Sequence, residues 1–269
     1  MKYIGFISLF ALLLSISCVS NERLIYLQNL ENQPEISEDS LVLYAIQEYR
    51  LQYNDIIDVQ IQTNSQDMND LLNVRPPQNR MAGGGQQQMG GGDVYYMTGY
   101  TIDLDGLIDL PLVGSVEVRN KTLGETKNAI VAELKKFIVS DEFFVRVKLG
   151  GIRYSAMGEV RRPGKFVVLQ DRMTIFEAIA NAGDLNVTAK RDEILLIRQY
   201  PQGTKLHRVN LLDRNIVHTP FYFIQPNDQI YAEPMKIREV GAGENVAQSL
   251  QLFITSITAA ALILNLVLR

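Results

Sequence analysis

Residues 100–125 read YTIDLDGLIDLPLVGSVEVRNKTLGE, and their pattern indicates how the N-terminal half of the chain folds. Apolar and polar side chains alternate along it, which is the pattern of strands with one buried face. The pair Asp105-Gly106 favours a tight hairpin turn between them. Thr122 and Glu125 stand three residues apart, which is the spacing of a capping box that opens a helix. We therefore predict strands followed directly by a helix over residues 122–139.

Strand patterns also flank this stretch. Residues 49–62 predict two strands around a turn at Asn54-Asp55, and residues 143–149, FFVRVKL, alternate apolar and polar side chains. Residues 63–97 break the pattern because they are rich in Gly, Gln and Asn, a composition that buries little apolar surface. We predict a β-rich domain over residues 46–150 with a flexible Gly/Gln insertion at 63–97.

A second module is predicted over residues 151–236. Its helix, over residues 174–182, begins at Thr174 with Glu177 three residues on, and Gly183 ends it in a conformation with positive φ. Its predicted strands cover residues 154–160, 166–169, 193–199, 206–211 and 221–233. One helix on a curved mixed sheet is a β-grasp-like packing, so the fold class is α+β.

A short internal echo links the two modules. Residues 51–57 and 224–230 share a Gln, an Asn-Asp pair and a final Ile. Both Asn-Asp pairs favour a turn between strands. The echo has two open explanations, shared turn chemistry or a true repeat.

The N-terminus has the order of a secretory signal: a basic start, a short apolar run and small residues before a cysteine. Residues 1–17 are thus a predicted lipoprotein signal peptide. Residues 14–18, LSISC, resemble a lipobox, which predicts that Cys18 becomes the acylated, palmitate-bearing first residue. The alternative is a free or buried cysteine beside an uncleaved anchor. Residues 18–45 are polar and predict an extended tether with little packing of its own.

The C-terminal residues 245–269 predict an amphipathic transmembrane helix. Residues 252–268 carry no charge and would span roughly 26 Å, close to the thickness of a bilayer core. Their uncharged polar residues fall on one stripe, which predicts a pore lining or a helix–helix contact. The stripe consists of Gln248, Gln251, Thr255, Thr258 and Asn265. A plain tail anchor is the alternative.

Composition narrows the class of protein. The formal net charge of −4 provides no basic surface for nucleic acid. The sequence has no nucleophile, metal or nucleotide motif, so we predict no catalytic residues, no metal, no cofactor and no enzymatic activity. Asp103, Asp105 and Asp109 do not continue to the glutamate of a calcium loop, which favours a solvated turn.

These segments together resemble the polysaccharide biosynthesis/export family of outer-membrane lipoproteins. The residues that carry the resemblance are YRLQYNDIIDVQI (49–61), residues 100–125, FFVRVKL (143–149), MGEVRRPGKF (157–166) and TIFEAIANAGDL (174–185). The last two are similar to the SLBB domain, a β-grasp domain. The order therefore resembles a polysaccharide export domain, one SLBB domain and a C-terminal membrane helix.

The resemblance implies a capsule or exopolysaccharide channel. It implies a homo-oligomeric ring whose C-terminal helices form a pore through outer-membrane lipid. The bulk of each chain would be periplasmic, and the partner would be an inner-membrane polysaccharide co-polymerase of the tyrosine-kinase type. An alternative is a lipid-anchored periplasmic glycan-binding or scaffold protein without a pore of its own. A third possibility is an inner-membrane protein anchored by its last segment.

Overall fold

The computed structural model describes residues 21–43, 48–73, 94–138 and 142–235, and in the C-terminal segment residues 251, 253–258 and 261–262. The predicted signal peptide, Cys18, most of the Gly/Gln insertion, Gln248 and Asn265 lie outside the described residues.

The first domain is built around one central strand. Strand β1 (Ile56–Thr63) lies between β2 (Tyr100–Thr101) and β5 (Phe143–Leu149), and both pairings are antiparallel. The predicted alternation of FFVRVKL is confirmed, because its apolar positions face the core and its charged positions face solvent. Residues 49–62 form this one strand rather than two. Before the Asn54-Asp55 turn, Leu51 exchanges backbone hydrogen bonds with Asn120 and Lys121, but the described residues there form no strand.

Part of the predicted flexible insertion is helical. Helix α1 (Gln66–Leu72) begins after Ser65, and a second short helix, α2, covers Val94–Thr98. The side chain of Asn69 accepts a hydrogen bond from the Thr63 amide at 2.6 Å, and that of Asn73 accepts one from the Ile61 amide at 3.0 Å. These two asparagines hold α1 against β1, so the flexible-loop prediction is wrong over α1.

The hairpin of this domain lies later than predicted. Strands β3 (Leu107–Leu110) and β4 (Gly114–Glu117) pair with each other, so the hairpin loop is at residues 111–113. Asp105-Gly106 does form a tight turn, with Gly106 at φ +81°, but this turn precedes β3. A turn at Asp105-Gly106 was thus predicted correctly. The prediction that this turn joins the two strands of the hairpin was wrong.

Helix α3 (Leu123–Leu134) packs on the sheet through Ile130 and Leu134. Its predicted capping box is confirmed, because the Thr122 side chain and the Glu125 carboxylate each accept a backbone amide of the other residue. The helix ends five residues earlier than predicted. Phe137 lies beyond the end of the helix and is mostly exposed.

The second domain is a five-stranded mixed sheet with one helix on one face. Its strands are β6 (Ile152–Gly158), β7 (Gly164–Val168), β9 (Ile194–Tyr200), β10 (Gly203–Val209) and β12 (Asp228–Ala232). Their order in the sheet is β10-β9-β12-β6-β7, with β6 and β12 parallel. Two short strands, β8 (Met173–Thr174) and β11 (Phe223–Ile224), pair beside it, so the strand predicted over residues 221–233 is interrupted.

Helix α4 (Ile175–Asn181) has the predicted cap, Thr174 with Glu177, and Gly183 follows it at φ +82°. Ala178 and Ile179 are buried, and the hydroxyl of Tyr154 on β6 donates to the Ala178 carbonyl at 2.8 Å. The predicted packing of one helix on a mixed sheet is thereby present.

The N-terminal segment is not a free tether over residues 26–36. The amides of Leu27 and Gln28 donate to carbonyls of Leu211 and Leu212, and the Tyr26 hydroxyl donates to Asp184 at 2.7 Å. The Tyr26 ring meets the edge of Phe176 on α4 at a centroid distance of 5.7 Å. The prediction failed because this segment contains few apolar residues, and those few find partners that are distant in sequence.

Candidate functional site

The two Asn-Asp pairs of the internal echo adopt the same local structure. Asn54 and Asn227 have φ values of 69° and 66°, in the left-handed region. The following aspartate in each case accepts the amide hydrogen of a Gln three residues before it, at 2.8 Å for Asp55 and 2.7 Å for Asp228. The two turns therefore share a backbone conformation and a side-chain-to-backbone hydrogen bond.

The two turns also meet. The Asn227 side-chain amide donates to Oδ1 of Asp55 at 3.1 Å, and the Gln52 side chain donates to the Gln199 carbonyl at 3.3 Å. The second oxygen of Asp55 accepts the Tyr49 hydroxyl at 2.6 Å. We call this contact between residues 49–55 and the Asn227-Asp228 turn the domain joint, because it connects the first domain to the second.

A buried ion pair supports the joint from the second domain. Arg198 and Asp228 are 2% and 0% exposed, and their closest N–O distance is 2.7 Å. The guanidinium also donates to the carbonyls of Pro220 and Phe223, at 3.1 and 2.9 Å. Every charge of the pair is thus matched locally, which is the condition under which a buried ion pair is tolerated.

Burial changes the proton affinities at the joint. It raises the pKa of Asp55 to about 6, against the lowering effect of its hydrogen bonds from Tyr49 and Gln52. Burial, followed by the neighbouring Asp55 carboxylate, raises the pKa of the Tyr49 hydroxyl far above its ordinary value. Burial also raises the pKa of Asp228, although Arg198 opposes this. Asp55 accepts hydrogen bonds from Tyr49 and Asn227, and Asp228 accepts them from Arg198, so these groups take part in structural contacts.

Two cavities lie beside the joint. One, of about 280 Å³, is mainly apolar and lies between residues of the first domain, such as Leu123 and Leu149, and residues of the second, such as Ile152 and Phe223. The other, of about 340 Å³, is mainly polar and opens on the sheet of the second domain next to Asn54.

Three of the five predicted stripe residues are described. Gln251, Thr255 and Thr258 are exposed and lie in helical backbone. The Thr255 hydroxyl donates to the Gln251 carbonyl at 2.9 Å, and the Thr258 hydroxyl donates to the Ile254 carbonyl at the same distance. Phe253, Ile254 and Ile257 beside them are exposed apolar side chains. Within the described residues, no helix combines the length and the apolarity needed to cross a bilayer.

Other residues considered from the sequence have local partners. Asp103 accepts the Leu107 amide at 2.8 Å, and Asp109 accepts the Ser115 hydroxyl at 2.6 Å. His207 lies 3.0 Å from the Tyr200 hydroxyl, and burial lowers its pKa, with Arg198 and Lys205 acting in the same direction. The predicted stripe and the domain joint are separate features, and sequence reasoning did not single out Arg198. A charged residue at an inward position of the apolar strand EILLIRQY was the available signal.

The comparisons with known proteins agree with this domain order. Residues 44–149 match the family model described as polysaccharide biosynthesis/export protein, and residues 157–209 match the SLBB domain. The two matches, an export domain followed by an SLBB domain, support a protein of the polysaccharide export family. This is a family of export proteins rather than enzymes, as we predicted for the chain.

Two curated relatives are similar to part of the chain. They are the EPS I polysaccharide export outer membrane protein EpsA of Ralstonia nicotianae and the protein of the same name in Ralstonia solanacearum. Each is 28% identical over 116 residues, which is 43% of this chain. The matched stretch spans 30% and 31% of the two relatives, so the chain aligns with less than a third of either.

Proposed function

We propose that this chain is a subunit of an outer-membrane channel for capsular polysaccharide or exopolysaccharide. The family and the names of the two relatives support an export role at the outer membrane. Copies of the chain would form a ring, and their C-terminal helices would line a pore. An inner-membrane polysaccharide co-polymerase would deliver the polymer.

The observation that carries the pore is the chemistry of the C-terminal helical residues. Their threonine hydroxyls donate to carbonyls of the preceding helical turn, which reduces the cost of placing them in a medium of low dielectric constant. Phe253, Ile254 and Ile257 meanwhile expose apolar surface suited to lipid. A single helix of this kind encloses no channel, so several copies are required.

Lipid attachment at Cys18 is the second part of the proposal. Tyr26, which is fixed on the second domain, lies eight positions after Cys18 in the sequence. Even a fully extended chain of this length reaches only about 28 Å. A lipid-bearing Cys18 would therefore hold the SLBB domain close to the inner surface of the outer membrane.

The anchor is tested with Cys18→Ser. In cells fed radiolabelled palmitate, the unaltered chain should carry label and sediment with outer membranes, whereas the variant should carry none. Because Cys18 is the only cysteine, other thiol chemistry does not complicate the assay. Equal labelling of both chains would exclude Cys18 as the acylated residue.

The pore is tested by export in a strain that lacks the chromosomal copy of the gene. Thr255→Leu combined with Thr258→Leu replaces two of the five polar residues of the stripe with apolar ones, and Ile254→Leu combined with Ile257→Leu is the matched control. We expect secreted polysaccharide to fall severalfold for the threonine pair only, at equal abundance in the outer membrane. Normal export by the variant with both threonine substitutions would show that the polymer does not pass along the stripe. Stable monomers with bound glycan would instead favour a lipid-anchored binding protein.

A further inference from the structure

The polar cavity lies on the face of the five-stranded sheet opposite α4. In the strand register, Ser155 on β6 stands beside Lys165 on β7 and beside Gln229 on β12. Neighbouring strands lie about 4.8 Å apart, so these three side chains form a row about 10 Å wide. Gln199 and Asn54 line the same cavity at its end next to the domain joint.

The charge of this cavity is positive although the chain as a whole is negative. Arg153 and Lys165 both line it, and Asp228 is the acidic residue in its wall. Asp228 is buried and bound by Arg198, so its charge is already matched. Lys165 is exposed and forms no ion pair with another described residue. The cavity therefore offers a free ammonium group to an anion from solvent.

The remaining surface of the cavity suits a sugar ring. The amides of Gln199 and Gln229 and the hydroxyl of Ser155 can both donate and accept hydrogen bonds, as ring hydroxyls require. Val167 and Ile197 add apolar area against which the C–H face of a pyranose can pack. A protein helix would need a larger apolar groove than these two residues provide.

We propose that this cavity is a subsite for an acidic sugar, a uronate residue of the exported polysaccharide. Lys165 binds the uronate carboxylate, and the amide and hydroxyl side chains bind the ring hydroxyls. This inference rests on the proposed function and adds to it the chemical class of the polymer. It also gives the SLBB domain a role in guiding the exported polysaccharide past the domain joint.

The test is binding of two trisaccharides to the full chain in mild detergent, measured by ligand-observed saturation-transfer NMR. Trigalacturonate is the acidic probe and maltotriose is the neutral one. The variant is Lys165→Gln, and the matched control is Lys148→Gln, an exposed strand lysine of the first domain. Loss of a charge-assisted hydrogen bond should weaken trigalacturonate binding about tenfold for Lys165→Gln only.

Each outcome decides the proposal. Preferential binding of trigalacturonate that Lys165→Gln weakens and Lys148→Gln leaves intact would support the subsite. Equal binding of both probes, or binding that Lys165→Gln does not alter, would overturn it. Self-association that Lys165→Gln abolishes would also overturn it, because a second copy would then fill the cavity. If rings form and export polymer without this binding, only the subsite fails; if the subsite binds but no rings form, only the channel fails.

Discussion

The side-chain amide of Asn227 donates a hydrogen bond to the buried carboxylate of Asp55, across 172 residues of sequence and at 3.1 Å. Each residue belongs to an Asn-Asp turn of the same local conformation, one in each domain. The turn that shapes each domain thus also fastens the domains together. In a ring, such a joint would transmit the orientation of one domain to the other.

The first prediction concerns this hydrogen bond. Asn227→Gly keeps the positive φ accessible but removes the amide, so we expect it to destabilise the chain by about 1–3 kcal/mol. Asn54→Gly is the matched control, because Asn54 has nearly the same φ and its side chain is exposed. Chemical denaturation in mild detergent, followed by the near-ultraviolet circular dichroism of the tyrosines, measures both. Equal losses for the two variants would mean that the joint adds nothing to stability.

The second prediction concerns pH. The folded-state pKa of Asp55, about 6, lies above its ordinary value of 3.8, so the folded chain binds this proton more tightly than the unfolded chain. The contribution of Asp55 is therefore fully present below about pH 4 and is lost as pH rises through about 6, a change of about 3 kcal/mol. Tyr49 and Arg153 act on Asp55 directly, whereas Asp228 and Arg198 act on Tyr49, its hydrogen-bond partner.

Asp55→Asn isolates this effect, because Asp228 titrates in both chains and cancels in the difference. We expect the stability of the unaltered chain, relative to Asp55→Asn, to decrease between pH 4 and pH 7. Denaturation midpoints at intervals across that range provide the measurement. Parallel profiles would show that Asp55 keeps its ordinary pKa in the folded chain.

The third prediction concerns the buried ion pair. Asp228→Ala leaves the Arg198 guanidinium buried without its counter-charge, so we expect a loss of about 3–5 kcal/mol. Arg208→Ala on the neighbouring strand removes an exposed partner of Glu233 and should cost less than about 1 kcal/mol. The same denaturation assay compares them. A small loss for Asp228→Ala would indicate that water reaches the guanidinium.

Local signals predicted much of this fold. The two capping boxes and Gly183 are set by contacts within four residues, and the alternation of FFVRVKL needs only one buried face. The segments that were predicted wrongly depend on contacts outside their own local pattern. Helix α1 is held through Asn69 and Asn73 by the backbone of β1, 6 and 12 residues earlier, and residues 26–36 pack on the second domain.

The same contrast between local and long-range contacts applies to the domain joint. The sequence indicated that the two Asn-Asp turns were alike, but their contact depends on the arrangement of the two domains. The pairing of Arg198 with Asp228 likewise joins strands that are 30 residues apart. Neither contact has a periodicity or a spacing that marks it in advance.

In the proposed channel, the C-terminal helices form the pore of a ring. Electron microscopy of the full chain, extracted from outer membranes in mild detergent, tests this beside a chain truncated after Gly243. We expect rings with a transmembrane density that the truncated chain lacks. Monomers in both samples, or rings whose membrane density survives the truncation, would exclude a pore built from these helices.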